Sequence, residues 1–163
     1  MRIPMLVVGA CLAVLLPGAV FAQSDTLIVP GVRIGPVALG MFREDVIRLL
    51  GPPDKVEETR VTQGGRSFLQ SFVDHHTTYG LAISYNAGVA PTAFFLATES
   101  PRYATGQGVR VGSSGTDLVR AHGGGCESCQ KAVCYMGFQG VLFEVWKAGQ
   151  VRRIAVEPGK TCL

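Results

Sequence analysis

The sequence predicts an α+β protein made of two tandem repeats, each a short helix followed by an antiparallel sheet. Residues 39–51 align with residues 111–123 without a gap, and four positions are identical: Gly40 and Gly112, Asp45 and Asp117, Arg48 and Arg120, Gly51 and Gly123. Each segment is followed by alternating apolar residues, at 79–98 and at 132–156, which is typical of half-buried hairpins. Because self-similarity of this kind indicates a duplicated unit, we expect one repeat in each half of the chain.

A helix is expected at the start of each repeat. The first is predicted at residues 41–50, with its apolar side chains on one face. The second has a clearer start, because Ser114 is a preferred N-cap residue and Asp117, three positions later, supplies the acid of a capping-box pattern. Phe42 stands at the position that corresponds to Ser114, so the first helix is expected to begin without a side-chain cap.

The first 22 residues are typical of a secretory signal peptide. Arg2 precedes an apolar run at residues 5–16, and small residues precede a cleavage position ahead of Gln23. The run is shorter than the stretch of about 20 residues that spans a bilayer. Cys11 lies too near the start of the chain for a lipid-attachment signal, so we expect no stable membrane anchor. A periplasmic or secreted protein is predicted.

Three segments follow from these patterns: a signal peptide at 1–22, a first repeat with an N-terminal arm at 23–105, and a second repeat at 106–163. The chain holds 15 Lys and Arg against 12 Asp and Glu, for a formal net charge of +3. The cations are scattered, and Arg152 and Arg153 form the only adjacent basic pair. Because no basic stripe could neutralise a phosphate backbone, nucleic acid is excluded as an expected partner.

Four cysteines remain after removal of the signal peptide: Cys126, Cys129, Cys134 and Cys162. An even number in an exported chain indicates disulfides, and three pairings are open. The Cys126 and Cys129 spacing also permits an alternative, a periplasmic thiol-disulfide or metal-handling protein. A zinc site could be drawn with Cys134 and His122 as further ligands. We expect oxidation to disulfides instead, and therefore neither a metal nor another cofactor.

Other candidate chemistry is weak. Residues 74–76 read Asp-His-His. In a strand, His75 and His76 would point to opposite faces and could not chelate one ion. We expect them to lie in a solvated loop. The chain has no phosphate-binding loop, nucleophile elbow or His-Glu-x-x-His motif. An enzyme is therefore not expected.

Aromatic residues provide the remaining functional indication. Tyr79, Tyr85 and Trp146 fall near the ends of predicted strands, where an amphipathic ring can face a partner. Tyrosine and tryptophan are enriched at protein interfaces. These residues predict a soluble, non-catalytic protein-binding module of the cell envelope, which binds another periplasmic or envelope protein through its sheet face and hairpin turns.

One segment also resembles a known family. Residues 34–41 read Ile-Gly-Pro-Val-Ala-Leu-Gly-Met, and they are followed by Glu-Asp-Val at 44–46 and Leu-Gly-Pro-Pro at 50–53. This pattern resembles the opening of SmpA/OmlA (BamE-like) domains, and its duplication is similar to the tandem architecture of β-lactamase inhibitor proteins. The resemblance implies a helix pair leading into an antiparallel sheet whose surface binds other proteins. Phe42 departs from the usual Ser or Thr, and the mature start lacks a lipidated cysteine.

Overall fold

Strands make up most of the structure. The computed structural model describes residues 24–130, 133–146 and 149–159. Two α-helices occur within these ranges, α1 (Arg43–Leu50) and α2 (Gly115–His122), and each has eight residues. A 3-10 turn covers Ser24–Thr26. The strands are β1 (Leu27–Val29), β2 (Arg33–Ile34), β3 (Val37–Ala38), β4 (Lys55–Gln63), β5 (Arg66–His76), β6 (Leu81–Asn86), β7 (Ala93–Thr98), β8 (Ala104–Thr105), β9 (Cys126–Gln130), β10 (Val133–Phe138), β11 (Val141–Trp146) and β12 (Val151–Val156).

One eight-stranded antiparallel sheet spans both halves of the chain, in the order β4-β5-β6-β7-β12-β11-β10-β9. A second sheet, β3-β2-β1-β8, is formed by the N-terminal arm and the segment ahead of α2. The expected α+β fold of two tandem helix-plus-sheet repeats is therefore wrong. The BamE-like architecture that the resemblance implied is wrong for the same reason. The protein is mostly β. The division at residues 105 and 106 stays a prediction.

The predicted fold class is wrong because some polar segments, which show no strand pattern in the sequence, form strands. Residues 54–63 are charged and showed no alternation of apolar residues, yet Lys55–Gln63 is a nine-residue strand that is exposed along its whole length. Cys126–Gln130 follows a run of glycines and forms the other edge strand. A strand at the edge of a sheet need not bury a side-chain row, so its sequence does not show the period of two.

The two halves meet at the centre of the large sheet. There β7 and β12 pair antiparallel through three residue pairs: Leu96 with Val156, Ala97 with Ala155, and Thr98 with Ile154. The equivalent strands of each half have the same burial pattern, since β6 and β11 alternate between buried and half-buried side chains. The alternation breaks at the centre, since Leu96, Ala97 and Thr98 of β7 and Ile154, Ala155 and Val156 of β12 are all buried. Away from this junction the sheet has one buried side and one side that faces solvent.

The core lies between the buried side of the large sheet and the layer formed by the helices and the small sheet. Each helix contributes one fully buried side chain, Val46 from α1 and Leu118 from α2. The small sheet also contributes buried apolar side chains, those of Ile28, Ile34 and Val37. The largest fully buried side chains are Tyr85, Tyr103, Phe143, Ile28, Ile34, Ile83, Leu96, Leu118, Ile154, Val37, Val46 and Val141.

The helix starts confirm the predicted capping. The Ser114 hydroxyl accepts a hydrogen bond from the backbone N–H of Asp117 at 3.0 Å and donates one to its carboxylate at 2.7 Å. At α1, Phe42 is the N-cap residue and makes no side-chain cap. Neither helix is long and apolar enough to cross a membrane, as far as the described residues extend. The predicted signal peptide, Cys11 and Cys162 lie outside those residues.

Candidate functional site

The side of the large sheet that faces solvent is the candidate site, and we call it the open face. Strand register defines its members. Val73 pairs with Ser84, which pairs with Phe95, and these three lie opposite the core side chains of the same strands. The open face consists of Val73, His75, Ala82, Ser84, Phe95, Ala97, Tyr135, Leu142, Glu144, Trp146, Arg152, Arg153 and Ala155.

An aromatic–arginine pair stands on the open face at the end of β11. Trp146 is 44% exposed. The Arg152 guanidinium lies over its ring, 4.2 Å from the centroid. The indole Nε1 also donates a hydrogen bond to Glu144 Oε1, at 3.4 Å. Stacking on the guanidinium and a hydrogen bond at the ring edge together restrain the indole, so it is presented to solvent in a defined orientation.

The centre of the open face is lined by small side chains. Ala82, Ser84 and Ala97 line a shallow cavity of about 510 Å³, which is bordered by the charged residues Glu57, Glu99 and Arg153. Small residues in the centre and charges of both signs at the border leave a depression that can receive side chains of a partner.

His75 and Glu57 form the charged margin of this depression. His75 Nε2 lies 3.4 Å from Glu57 Oε2, with the two side chains 31% and 51% exposed. The hydrogen bond from Lys55 Nζ, with His75 adding a smaller effect, lowers the pKa of Glu57 below its usual value. The margin therefore carries an ionised carboxylate that is already paired with the Lys55 ammonium.

The three aromatics predicted to bind do not form one cluster. Trp146 lies on the open face. Tyr79 lies in the turn that follows β5 and packs, half-buried, against the core. Tyr85 is fully buried and stacks on Phe72 with ring centroids 5.3 Å apart. Tyr85 therefore has no exposed surface to offer a partner, and a binding role for the other two stays a prediction.

The Asp-His-His segment is not a loop. It ends β5, with Asp74 and His76 buried on the core side and His75 on the open face. Arg43 of α1 reaches Asp74 through two hydrogen bonds, from Nε at 2.7 Å and from Nη2 at 3.0 Å. This pairing raises the pKa of the Arg43 guanidinium. Burial lowers the pKa of His76, and the nearby Asp74 carboxylate offsets only part of this decrease.

The buried hydroxyl of Tyr85 lies in the same region. No described group is placed to hydrogen-bond with it. Burial, with a smaller contribution from the Asp74 carboxylate, raises the pKa of the hydroxyl, so it stays protonated. Sequence reasoning missed this cluster because the Asp-His-His segment was expected to be a loop, although Tyr85 alternates with Leu81 and Ile83, the pattern of a buried strand face.

A disulfide links Cys129 to Cys134. The two residues are directly opposite each other in β9 and β10, with Cα atoms 4.0 Å apart. This confirms the expected disulfide for two of the four cysteines. It is compatible with an oxidising compartment. The alternative that uses Cys126 with Cys129 as a redox pair does not fit this state, because Cys129 is already bonded to Cys134.

His122, which was drawn as a fourth zinc ligand, packs instead against two rings. Its centroid is 5.2 Å from that of Phe138 and 5.2 Å from that of Phe143. Burial lowers its pKa. It also lines a second cavity, of about 860 Å³, between the N-terminal arm, the end of α2 and the β10–β11 turn. The walls of that cavity are mainly apolar side chains and glycines.

No family model matches the chain, and no curated protein matches it. Among solved structures, the crystal structure of the uncharacterized protein yfeY from Escherichia coli is similar, with 14% sequence identity over 78% of this chain and 95% of that chain and a TM-score of 0.45. A similarity at this level defines neither a family nor a function.

Proposed function

We propose that the protein is an exported, non-catalytic binding module of the cell envelope, and that another periplasmic or envelope protein docks on its open face. The observation that carries the proposal is the exposed Trp146 ring stacked under Arg152. Tryptophan and arginine are enriched among the residues that dominate the binding free energy of protein interfaces.

The size of the open face supports a protein partner. Eight strands spaced about 4.8 Å apart give a width of about 34 Å, and a six-residue strand is about 20 Å long. The product, about 680 Å², approaches the roughly 800 Å² that each partner contributes to an interface of standard size. The cavity on this face, about 510 Å³, has room for more than one inserted side chain.

The distribution of titratable groups supports binding rather than catalysis. Asp74 and His76 point into the core, and the Asp74 carboxylate already accepts both hydrogen bonds of Arg43. The export part of the proposal is supported by the predicted signal peptide and by the Cys129–Cys134 disulfide.

A photo-crosslinking amino acid at position 146 tests the proposal in cells that export the protein. Position 119 of α2 is the matched control, because Val119 is also 44% exposed but lies on the opposite side of the sheet. We expect a crosslinked protein at position 146 and none at 119. Adducts at 119 alone, or at neither position, would overturn the proposal.

The crosslinked protein then provides a quantitative test. We expect Trp146→Ala to weaken its affinity by about 30-fold, which corresponds to about 2 kcal/mol, the size of an interface hot spot. Val119→Ala should leave the affinity unchanged. Equal effects of the two substitutions would contradict a docking role for the open face.

A further inference from the structure

We propose that Glu127, Cys129 and Cys134 form a binding site for Zn²⁺ when the disulfide is reduced. The site lies at the β9 edge of the large sheet, on the side that carries α2, and it is separate from the open face. The disulfide and the metal-bound state exclude each other, because the same two sulfur atoms serve in both.

The three side chains are already together. One ligand atom from each lies within 4.8 Å of the other two. Cys129 Sγ is 3.1 Å from Glu127 Oε1. Glu127 and Cys129 are two positions apart in β9, so they project from the same side of the strand, and Cys134 faces Cys129 across the β9–β10 pairing. The backbone of a regular hairpin thus fixes the three ligand positions.

The arrangement fits zinc. Thiolate and carboxylate are ordinary zinc ligands, at about 2.3 Å and about 2.0–2.2 Å, in a tetrahedron whose fourth corner can hold water. Two sulfurs bound to one zinc at these lengths lie roughly 3.8 Å apart. Directly opposite residues of an antiparallel pair have Cβ atoms about 4.5–5.5 Å apart, so the sulfurs can reach that separation by side-chain rotation.

Access and local charge also permit a cation. Glu127 and Cys129 are exposed, and Cys134 is half-buried. Arg120 of α2 lines the neighbouring surface depression together with Glu127. Its guanidinium already donates to Asp117 at 2.8 Å, so its charge is paired.

The chemistry of the switch balances. A dithiol reductant gives two electrons and two protons to the Cys129–Cys134 bond, which breaks to two thiols, while the reductant becomes a disulfide. Zinc binding then displaces the two thiol protons. Exposed disulfides are the more easily reduced ones. The strands stay paired through the rest of the β9–β10 ladder, so reduction leaves the ligands in place.

Metal titration of the full chain tests the proposal. The protein is reduced with a phosphine that does not bind zinc, exchanged into oxygen-free buffer, and titrated with Zn²⁺ against a chromophoric competitor. We expect one zinc per reduced chain and none per oxidised chain. Cobalt(II) as a second probe should give the absorption of a thiolate-bound tetrahedral ion. A reduced chain that binds no zinc would overturn the proposal.

Two variants assign the ligands. Cys126→Ser with Cys162→Ser removes the other cysteines of the mature chain and should keep one zinc per chain. Glu127→Gln, in the otherwise native sequence, should weaken zinc affinity by at least tenfold, the loss that even an outer ligand partner commonly produces. Zinc binding that depends on Cys126 or Cys162, or that is indifferent to Glu127→Gln while circular dichroism shows the fold intact, would refute the site.

Discussion

Arg43 and Asp74 form a two-point ion pair across the interface between α1 and the large sheet, with the Asp74 carboxylate fully buried and the Arg43 side chain 30% exposed. The Arg43 guanidinium also lies over the Phe72 ring, 4.9 Å from its centroid. A helix of only eight residues has little stability of its own. The pair therefore fixes the first turn of α1 against β5 and determines where the helix sits.

Removal of the cation should destabilise the fold strongly. In Arg43→Met the Asp74 carboxylate remains buried without a counter-charge, so we expect the free energy of unfolding to fall by about 3–5 kcal/mol in urea denaturation at pH 7. The double variant Arg43→Met, Asp74→Leu should recover most of that loss, since it also removes the buried charge. Arg48→Met is the control, because Arg48 is 76% exposed in its ion pair with Asp45. Equal losses of unfolding free energy for Arg43→Met and Arg48→Met would contradict a special role for the Arg43–Asp74 pair.

Stability should fall as the pH drops from 7.5 to 5.5. Burial lowers the pKa of His76 and of His122 in the folded protein. Unfolded histidines bind protons at a pKa of about 6.5, so on acidification the unfolded chain takes up more protons than the folded chain and is favoured. Urea denaturation at both pH values measures the slope. His76→Gln with His122→Gln should flatten it; a slope that survives both substitutions would disprove this origin.

Tyr85→Phe should leave the protein as stable as the native chain or more stable. The hydroxyl is buried, and no described group accepts or donates a hydrogen bond to it, so its loss removes an unsatisfied polar group worth about 1–3 kcal/mol. Thermal unfolding measures the change. Partner capture should also be unaffected, because the ring lies in the core. Tyr85→Ala, which leaves a cavity, should lower the stability by about 3–5 kcal/mol. A large loss in the phenylalanine variant would reveal a hydrogen-bond partner for the hydroxyl.

Ser114→Ala should destabilise α2 by about 1 kcal/mol, because the N–H of Asp117 loses its acceptor at the helix start. The equivalent substitution in α1, Phe42→Ala, removes no cap hydrogen bond. Phe42→Ser should instead supply the missing cap and raise stability, which chemical denaturation of both variants can compare. A destabilising Phe42→Ser would mean that the exposed Phe42 ring contributes more than a capping hydroxyl does.

Local pattern was sufficient to predict the central elements of the fold. The alternating segment predicted at 132–156 contains the observed strands Val141–Trp146 and Val151–Val156, which are rich in β-branched residues. The capped start of α2 was also readable, since Ser114 and Asp117 stand at fixed spacing. These signals are local, so they do not depend on how the rest of the chain folds.

The architecture depended on information that no local pattern holds. The pairing of β7 with β12 joins separate halves of the chain into one sheet, and it left no mark in the sequence of either strand. The open face was likewise only partly predictable. Trp146 was identified by residue type. Arg152 lies over the Trp146 ring next to the β-bulge at Glu144 and Val145, and the sequence did not indicate this bulge. Tyr85 was predicted to bind because of its residue type, whereas its alternation with Leu81 and Ile83 indicated the buried side of β6.

The three-pair junction between β7 and β12 determines when the open face is complete. Leu96 and Val156 are about 60 residues apart, so their pairing closes a far longer loop than any hairpin of either half. We expect this step to govern the folding rate, which stopped-flow measurements on Ala97→Gly can test. A chain with only its N-terminal strands assembled has half of the open face and neither Trp146 nor Arg152. On the proposed function, docking therefore has to wait until β11 and β12 have joined the sheet.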